Sequence, residues 1–443
     1  MHQPEYLPVL GRKAHEIIAF HQGKEVDAQG LLTRASALAK KLPPRSYVFN
    51  LCTDRFHYLL GFCAAVIAGQ CTLMPPNRLA ATVEQLSQDY PDNYSLSDDD
   101  ILQWDSATKG QQPSGTAFEV PDISSQQLCA IAFTSGSTGT PSPNLKYWDT
   151  LRSSTIGNAQ LLLPDTAKRL NLVATVPPQH MWGLETSILL PLFANVAVSD
   201  KSPFYPQDIA ESLTSIPEPR ALVSSPVHLN VLCKSGVQLP DLRYIFSATA
   251  PLSQSLAERL EQQFDTRVVE VFGSSESGIV ARRNTSSESI WHLSQMFSLD
   301  INDSGVKIQA EHLPEDVVIK DVIEMVGANQ FNWLGRHQDM LNIAGKRGSL
   351  ADLNRRLLSI DGVVDGVMFL PSKNATRVAA LVVAPGLTAS EIQAALKTEV
   401  ESIFIPRPIL LLDKLPRQAT GKLTQKDILH TYFKLTGQTD AHC

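Results

Sequence analysis

Ala130-Ile131-Ala132-Phe133-Thr134-Ser135-Gly136-Ser137-Thr138-Gly139-Thr140-Pro141 is an apolar run that passes directly into hydroxyls and glycines. Four uninterrupted apolar residues before a turn signal predict a buried strand. In the loop that follows, glycines let the backbone approach a ligand, exposed N–H groups point inward, and hydroxyls donate to oxyanions. That chemistry suits a phosphate cradle, although a Ser/Gly surface loop has the same composition. The chain contains no G-x-x-x-x-G-K-[ST], so this is not a Walker A loop. Working outward, Tyr47 to Leu51, Leu172 to Val176, Ala221 to Ser224, Tyr244 to Phe246 and Val268 to Val271 also read as strands. Helix-period stretches such as Ile156 to Leu163 and Leu252 to Phe264 lie between them. Strands alternating with helices predict an α/β fold with doubly wound parallel sheets, and ligands beyond the carboxyl ends of the strands.

The pattern changes after about residue 285. Met296 to Ile301 and Val306 to Ala310 flank Asn302-Asp303-Ser304-Gly305, a hairpin signature and the start of a small β subdomain. A helix from Leu350 to about Leu358, strands Val363 to Leu370 and Val378 to Val383, and a helix from Ser390 to about Val400 then predict a small α+β unit. The 443 residues allow two or three domains at roughly 150 residues each.

Composition narrows the function further. Net charge is −7, from 38 Lys+Arg against 45 Asp+Glu, with no basic cluster of the kind a nucleic-acid surface needs. Six scattered cysteines form no C-x-x-C pair, which fits a reducing cytoplasm rather than a disulfide or zinc framework. The polar amino terminus has no apolar signal core. The uncharged run Tyr58 to Met74 is short for a membrane span and carries Gly61, Gly69 and Gln70. It reads as a buried helix feeding a buried strand, so a cytoplasmic protein without membrane insertion is expected.

Thr134 to Pro141 resembles the phosphate loop of the adenylate-forming superfamily, which includes acyl-CoA synthetases, aryl-acid ligases, adenylation domains and luciferases. Four further segments resemble that superfamily's motifs in order. They are Pro178-Gln179-His180-Met181-Trp182-Gly183, Val271-Phe272-Gly273-Ser274-Ser275-Glu276, Trp333-Leu334-Gly335-Arg336 with Asn342-Ile343-Ala344-Gly345-Lys346-Arg347, and Leu415-Pro416-Arg417-Gln418-Ala419-Thr420-Gly421-Lys422. The resemblance implies a large adenylating domain, residues 1–336, and a small mobile lid, residues 337–443. It also implies a two-step reaction. A carboxylate attacks the α-phosphate of ATP to give an acyl-adenylate and pyrophosphate; a phosphopantetheine thiol, of a carrier protein or CoA, then displaces AMP.

The first step brings two anions together, so placed positive charge and aligned donors are needed. The resemblance gives Lys422 the task of bridging the carboxylate and α-phosphate, and Glu276 that of holding Mg2+. ATP or AMP binding falls to Thr134, Ser135, Gly136, Ser137, Thr138 and Gly139 in the loop. It extends to Ser247, Ala248 and Thr249 beside the adenine, Phe272 as an opposing face, Gly273 and Ser275, Asp321 on the ribose hydroxyls, and Arg336. His180 gates the acyl pocket, with Trp182 and Gly183 beside it, and this aromatic group hints at an aryl acid. Gly345 and Lys346 fall on the pantetheine tunnel, where Lys346 and Arg347 suit either CoA's 3′-phosphate or an acidic carrier.

The sequence also departs from the family pattern. The phosphate loop lacks its usual lysine after Pro141, and Lys146 is the candidate to reach back to the pyrophosphate. Gln338 stands where the hinge usually has an acid or lysine. The compact length and Pro-x-Pro after the loop resemble aryl-acid ligases that work with acyl-carrier proteins in aryl-polyene pigment pathways. Two alternatives stay open: a CoA ligase, and a nucleotide-binding pseudoenzyme.

Overall fold

The computed structural model describes residues 5–108, 118–135, 141–163, 168–302, 305–336, 340–343, 346–372, 375–398, 400–417 and 423–437. Its backbone divides into two units, Met1–Ser298 with Ile308–Val317 and Leu299–Lys307 with Val318–Cys443. The hairpin carrying Asp321 and Arg336 therefore groups with the carboxy-terminal unit.

The larger unit is built around a five-stranded sheet and a larger one, besides the short pair Tyr6–Pro8 and Asp122–Ser124. In the smaller, the strands Asn93–Leu96, Tyr47–Asn50, Cys71–Met74 and Leu128–Ser135 run parallel, and Pro141–Tyr147 closes the edge antiparallel. In the larger, Tyr244–Ser247, Arg220–Ser224, Leu170–Ala174, Val196–Ser199 and Ile17–His21 lie side by side and parallel. Arg267–Ser274 extends this parallel set, after which Gly278–Arg283 and Ile290–Leu293 add antiparallel strands. Tyr47–Asn50, Leu128–Ser135, Leu170–Ala174, Arg220–Ser224, Tyr244–Ser247 and Arg267–Ser274 match runs read from sequence, with ends shifted by up to three residues, whereas Ile17–His21, Asn93–Leu96, Pro141–Tyr147, Val196–Ser199, Gly278–Arg283 and Ile290–Leu293 come only from the structure.

Strand alternation explains the layering. Leu172, Ala174, Ala221, Val223 and Phe246 share one core cluster with Val48, Met74, Ala130 and Ala132 of the smaller sheet and with the helices Ala28–Ala39, Arg55–Ile67 and Trp148–Leu162. The intervening Val173, Leu222 and Ile245 point the other way, against the helices Pro206–Thr214, Pro226–Lys234 and Gln254–Phe264. Phe49, Leu73, Ile131 and Phe133 do the same on the far face of the smaller sheet. Period-2 side chains covered on both faces give the doubly wound arrangement.

The apolar run Tyr58 to Met74 is a helix, Arg55–Ile67, and a strand, Cys71–Met74, whose residues are buried throughout except around the connecting turn. A helix buried on every face has no use for charge beyond its ends. Its one cation, Arg55, is fully buried and donates to Ser187 Oγ at 2.6 Å and to the carbonyls of Ala174 and Val176 at 2.8 and 3.0 Å. Burial lowers its pKa to about 10, which still leaves it charged at neutral pH. No helix among the described residues is long and apolar enough to cross a membrane.

In the second unit Asp365–Phe369, Ala379–Val383 and Ile409–Leu411 form a sheet. Ala380 and Val382 face the helices Leu350–Ser359 and Ala389–Leu396, while Ala379, Leu381 and Val383 face Gln425–Thr436. Ser349, Thr388 and Thr424 cap the three helices by accepting from the backbone three residues on. The last helix was not anticipated by the sequence reading.

Candidate active site

A cavity of about 440 Å³ near Cys233 and Arg259 is an open surface hollow. The pocket at the carboxyl ends of the large sheet's parallel strands is smaller, about 310 Å³, and brings His180, Trp182, Ala248, Thr249, Gly273 and Ser275 together. All six were singled out from sequence. Met181, Glu185, Val271, Ser274, Gly278 and Ile279 complete the wall.

Local structure explains how each residue arrives there. The strand Leu170–Ala174 ends and the chain turns through two prolines to His180, which precedes the short helix Met181–Leu184. Arg55 grips the carbonyls at both ends of that departure, so the turn is anchored from below. Gly183 sits under the turn: a Cβ there would lie 2.0 Å from the Pro177 carbonyl oxygen. Its smallness supports the wall rather than forming it. Trp182 is buried and donates its indole N–H to Ser224 O at 3.1 Å, which fixes the ring's plane. His180 is at the exposed mouth, and crowding by its neighbours, then the charge of Arg78, lowers its pKa. Arg78 is itself tied to Cys52 O and Gln179 Oε1 at 2.7 and 3.0 Å. At neutral pH a lowered histidine pKa leaves the imidazole uncharged.

The opposite wall comes from two strand ends. Tyr244–Ser247 runs out into Ala248 and Thr249, and Thr249 has φ +80°. A β-branched residue in that region is strained, a condition that clusters at functional loops. Ser247 lies beneath, fully buried, with no hydrogen-bond partner for its hydroxyl among the described residues. Arg267–Ser274 bends between Phe272 and Gly273 as it pairs with Gly278–Arg283. A Cβ on Gly273 would lie 2.2 Å from Gly278 O, so only glycine allows this close return. Phe272 is half-buried, its ring centroid 5.5 Å from that of Trp291. Glu276 sits exposed on the turn between these strands.

Glu185 acquires meaning only in the structure, and Lys146, a candidate from sequence, gains its partner there. Glu185 is the single charge between residues 181 and 199, in a wider π-type turn, Glu185–Leu189, and is 3% exposed. Its Oε1 accepts from Asn158 Nδ2 at 3.1 Å and Ile279 N at 3.2 Å. Burial raises its pKa, opposed by those hydrogen bonds and by the Lys146 charge. A lone carboxylate in an apolar run is the sequence signal that would have found it. Lys146 is 3% exposed and donates its ammonium to Glu276 O at 2.8 Å. Burial lowers its pKa, and Glu185 and Glu276 oppose that. In this structure Lys146 therefore secures the turn bearing Glu276.

Gly136, Ser137, Thr138, Gly139, Gln338, Gly345 and Lys422 lie outside the described residues. Thr134 and Ser135 are held by pairing with Ser142 and Pro141 across the loop's base. In the second unit Asp321 and Arg336 stand opposite each other in the Asp321–Gly327 and Gln330–Arg336 hairpin, and Asp321 Oδ1 accepts from Trp333 Nε1 at 2.7 Å. That indole orients the carboxylate. Lys346 is exposed, its ammonium 3.2 Å from the exposed Glu401.

Comparison with known proteins decides the family. The family model described as "AMP-binding enzyme" matches residues 55–301, more than half of the chain. The chain belongs to the AMP-binding enzyme family. It is thus an adenylate-forming enzyme, an AMP-forming acid–thiol ligase. A curated relative, 4-coumarate–CoA ligase of Halorhodospira halophila, is 24% identical over 320 residues, covering 70% of this chain and 78% of the relative. The fold matches ATP-bound MatB from Rhodopseudomonas palustris with a TM-score of 0.79 at 17% identity, over 95% of this chain and 96% of that one. It matches the anthranilate CoA ligase AuaEII in complex with anthranoyl-AMP equally well, at 0.79 and 15% identity over 98% and 99%. These likenesses establish the large sheet-bearing domain and the smaller carboxy-terminal one.

Proposed function

We propose that this ligase activates an aromatic carboxylic acid with ATP and passes the acyl group to the phosphopantetheine thiol of an acyl-carrier protein. The observation that carries the reading is the pocket of about 310 Å³ walled by Trp182, Met181 and His180 on one side and Ala248 and Thr249 on the other. A volume of that size, with Met181, Trp182, Val271 and Ile279 in its wall, suits one ring better than a long chain. The polar end, at Glu185, favours an acid bearing a hydrogen-bond donor on its ring.

In the first half-reaction a carboxylate oxygen bonds to the α-phosphorus, and the bond to pyrophosphate breaks. Lys422 neutralises the charge between the two anions, and the Thr134–Gly139 loop supplies donors to the phosphates. Glu276 presents a hard, exposed carboxylate on a turn braced by Lys146, which fits Mg2+ coordination. When bound, the cation supplies charge neutralisation at the phosphates. Asp321, oriented by Trp333, is the carboxylate that would accept from the ribose hydroxyls. Phe272 gives the adenine a face, and Arg336 contacts the nucleotide or anchors the hinge. In the second half-reaction the thiol sulfur bonds to the acyl carbon and AMP leaves, with the pantetheine arm passing Gly345 and Lys346. Neutral His180 at the mouth separates the acid from the thiol's path. The Pro141-Ser142-Pro143 step after the phosphate loop supports placement among aryl-acid ligases of aryl-polyene pigment pathways, with the lid beginning near residue 337.

Free CoA is the second reading, favoured by relatives whose names describe CoA ligases. A panel of aryl and fatty acids, scored for pyrophosphate release with CoA and a carrier protein as rival acceptors, decides both questions. The proposal expects aryl acids and the carrier to be preferred. Equal or better turnover with CoA would move the acceptor to the second reading, and preference for fatty acids would remove the aromatic substrate.

A further inference from the structure

Two histidines and two aspartates meet where the strand Ile17–His21 ends, the helix Arg55–Ile67 begins and the strand Val196–Ser199 runs into Asp200. None of them lines the pocket described above. His21 and His57 are buried, 9% and 3% exposed, with ring centroids 5.2 Å apart, and His21 stacks on Phe56 at 4.5 Å. One ring nitrogen of each histidine and a carboxylate oxygen of Asp54 all lie within 4.8 Å of one another. His21 Nδ1 is 3.8 Å from Asp54 Oδ2 and 3.4 Å from Asp200 Oδ2. Even so, neither His21 Nδ1 nor His57 Nε2 makes a hydrogen bond among the described residues.

The surroundings prepare these atoms as ligands. His57 Nδ1 lies 2.9 Å from Asp98 Oδ1, and Asp98 is held by the Thr53 hydroxyl and N–H at 2.6 and 2.8 Å. An imidazole donating from Nδ1 to a carboxylate carries its lone pair on Nε2, the arrangement that supports metal-bound histidines. Asp54 spends Oδ1 capping the helix, accepting from His57 N at 3.0 Å, which leaves Oδ2 on the His21 side. Asp200 Oδ2 accepts from Gln22 N at 2.8 Å, and Lys201 approaches only its other oxygen, at 4.0 Å.

We propose that His21, Asp54, His57 and Asp200 form a binding site for a divalent first-row transition cation of the zinc type. Tetrahedral ligands at bond lengths of about 2.0–2.2 Å stand roughly 3.4 Å apart. The His21–Asp200 separation already meets that spacing, and small side-chain shifts bring in the rest. Two carboxylates balance a dication, and two imidazoles select a transition ion over the hard Mg2+ that accompanies ATP. The ion ties a strand end, a helix start and a neighbouring strand end together.

The test uses tag-free, full-length protein stripped by a chelator and titrated with Co2+ without nucleotide. The expected result is one equivalent bound, with visible d–d absorption that Zn2+ abolishes. His57→Gln and Asp54→Asn should each weaken Co2+ at least tenfold; asparagine keeps the helix cap, so Asp54→Asn stays informative if His57→Gln fails to fold. Asp98→Asn, which removes the carboxylate behind His57 Nδ1 and the acceptor of the Thr53 and Asp54 N–H groups while leaving all four ligands in place, should weaken binding about 10–100-fold. Glu276→Gln should leave the titration unchanged. Absence of a stoichiometric Co2+ spectrum in the wild type overturns the site, as do Asp54→Asn and Asp98→Asn variants that bind like wild type.

Discussion

Replacing Lys146 with methionine removes one buried ammonium and keeps most of its stem. In the wild type that ammonium donates to Glu276 O over 2.8 Å. A hydrogen bond from a charged donor contributes about 1.5–3 kcal/mol. Against this, methionine avoids the desolvation that already pulls the Lys146 pKa down and outweighs the attraction of Glu185 and Glu276. Burial being the larger influence, the two effects largely offset, and the net loss of stability falls to about 1 kcal/mol. Activity should suffer more, because the turn carrying Glu276 loses its brace; outer support of a metal ligand is worth about 10–100-fold. Acid-dependent exchange of labelled pyrophosphate into ATP should fall by that factor in K146M, with urea unfolding showing the small shift. The pH sign follows from the lowered pKa. Between it and the ordinary 10.5, the unfolded chain holds a proton the folded chain has released, so wild-type stability rises with pH there. K146M should lack that rise. Exchange at wild-type rate would refute the brace. Lost exchange with neither the stability change nor the missing pH rise would instead favour a lysine that reaches the pyrophosphate.

Gly278→Ala should cost about 1–2 kcal/mol, since Gly278 has φ +72° and the new Cβ would lie 2.6 Å from Glu185 Oε1. The displaced carboxylate should also raise KM for the acid, read from steady-state kinetics. Glu185 has a raised pKa, so its contribution to stability is present below about pH 4.5 and is lost as pH rises through the folded-state value. Glu185→Gln removes that loss, and its stability relative to wild type, measured by denaturation, should climb across the same window. Lys422→Ala should suppress adenylation yet spare thioester formation from preformed acyl-adenylate, and equal loss in both assays would contradict a first-step role. Gly345→Leu should stall thioester formation alone, measured with preformed acyl-adenylate and thiol.

Much of this was legible in the sequence because its signals are local. The uncharged run Tyr58 to Met74 became a buried helix and strand, and the alternation of Leu172, Val173 and Ala174 became two faces of one sheet. His180, Trp182, Ala248, Thr249, Gly273 and Ser275 converge because each lies at or just beyond a parallel strand's carboxyl end, where chain order and ligand position are coupled. What stayed hidden depends on partners far apart in the chain. Lys146 meets Glu276 across 130 residues, and Glu185 meets Asn158 and Ile279 from three separate elements. No spacing rule connects such residues. His21, Asp54 and His57, with Asp200 beside His21, have the same character, being brought together by sheet order. The helix Gln425–Thr436 was missed although Thr424 caps it and Gly437 ends it at φ +68°. Its buried Ile428 and Tyr432 are a thin apolar stripe in a polar sequence.

On the proposed function, this chain transfers the adenylyl group of ATP to an aromatic carboxylate and releases pyrophosphate. Exchange of labelled pyrophosphate into ATP, measured across aryl and fatty acids, tests it without needing the acceptor. Exchange should depend on an aryl acid and disappear in the Lys422→Ala variant. Wild-type protein that binds ATP but shows no exchange with any acid would contradict it and identify a nucleotide-binding pseudoenzyme.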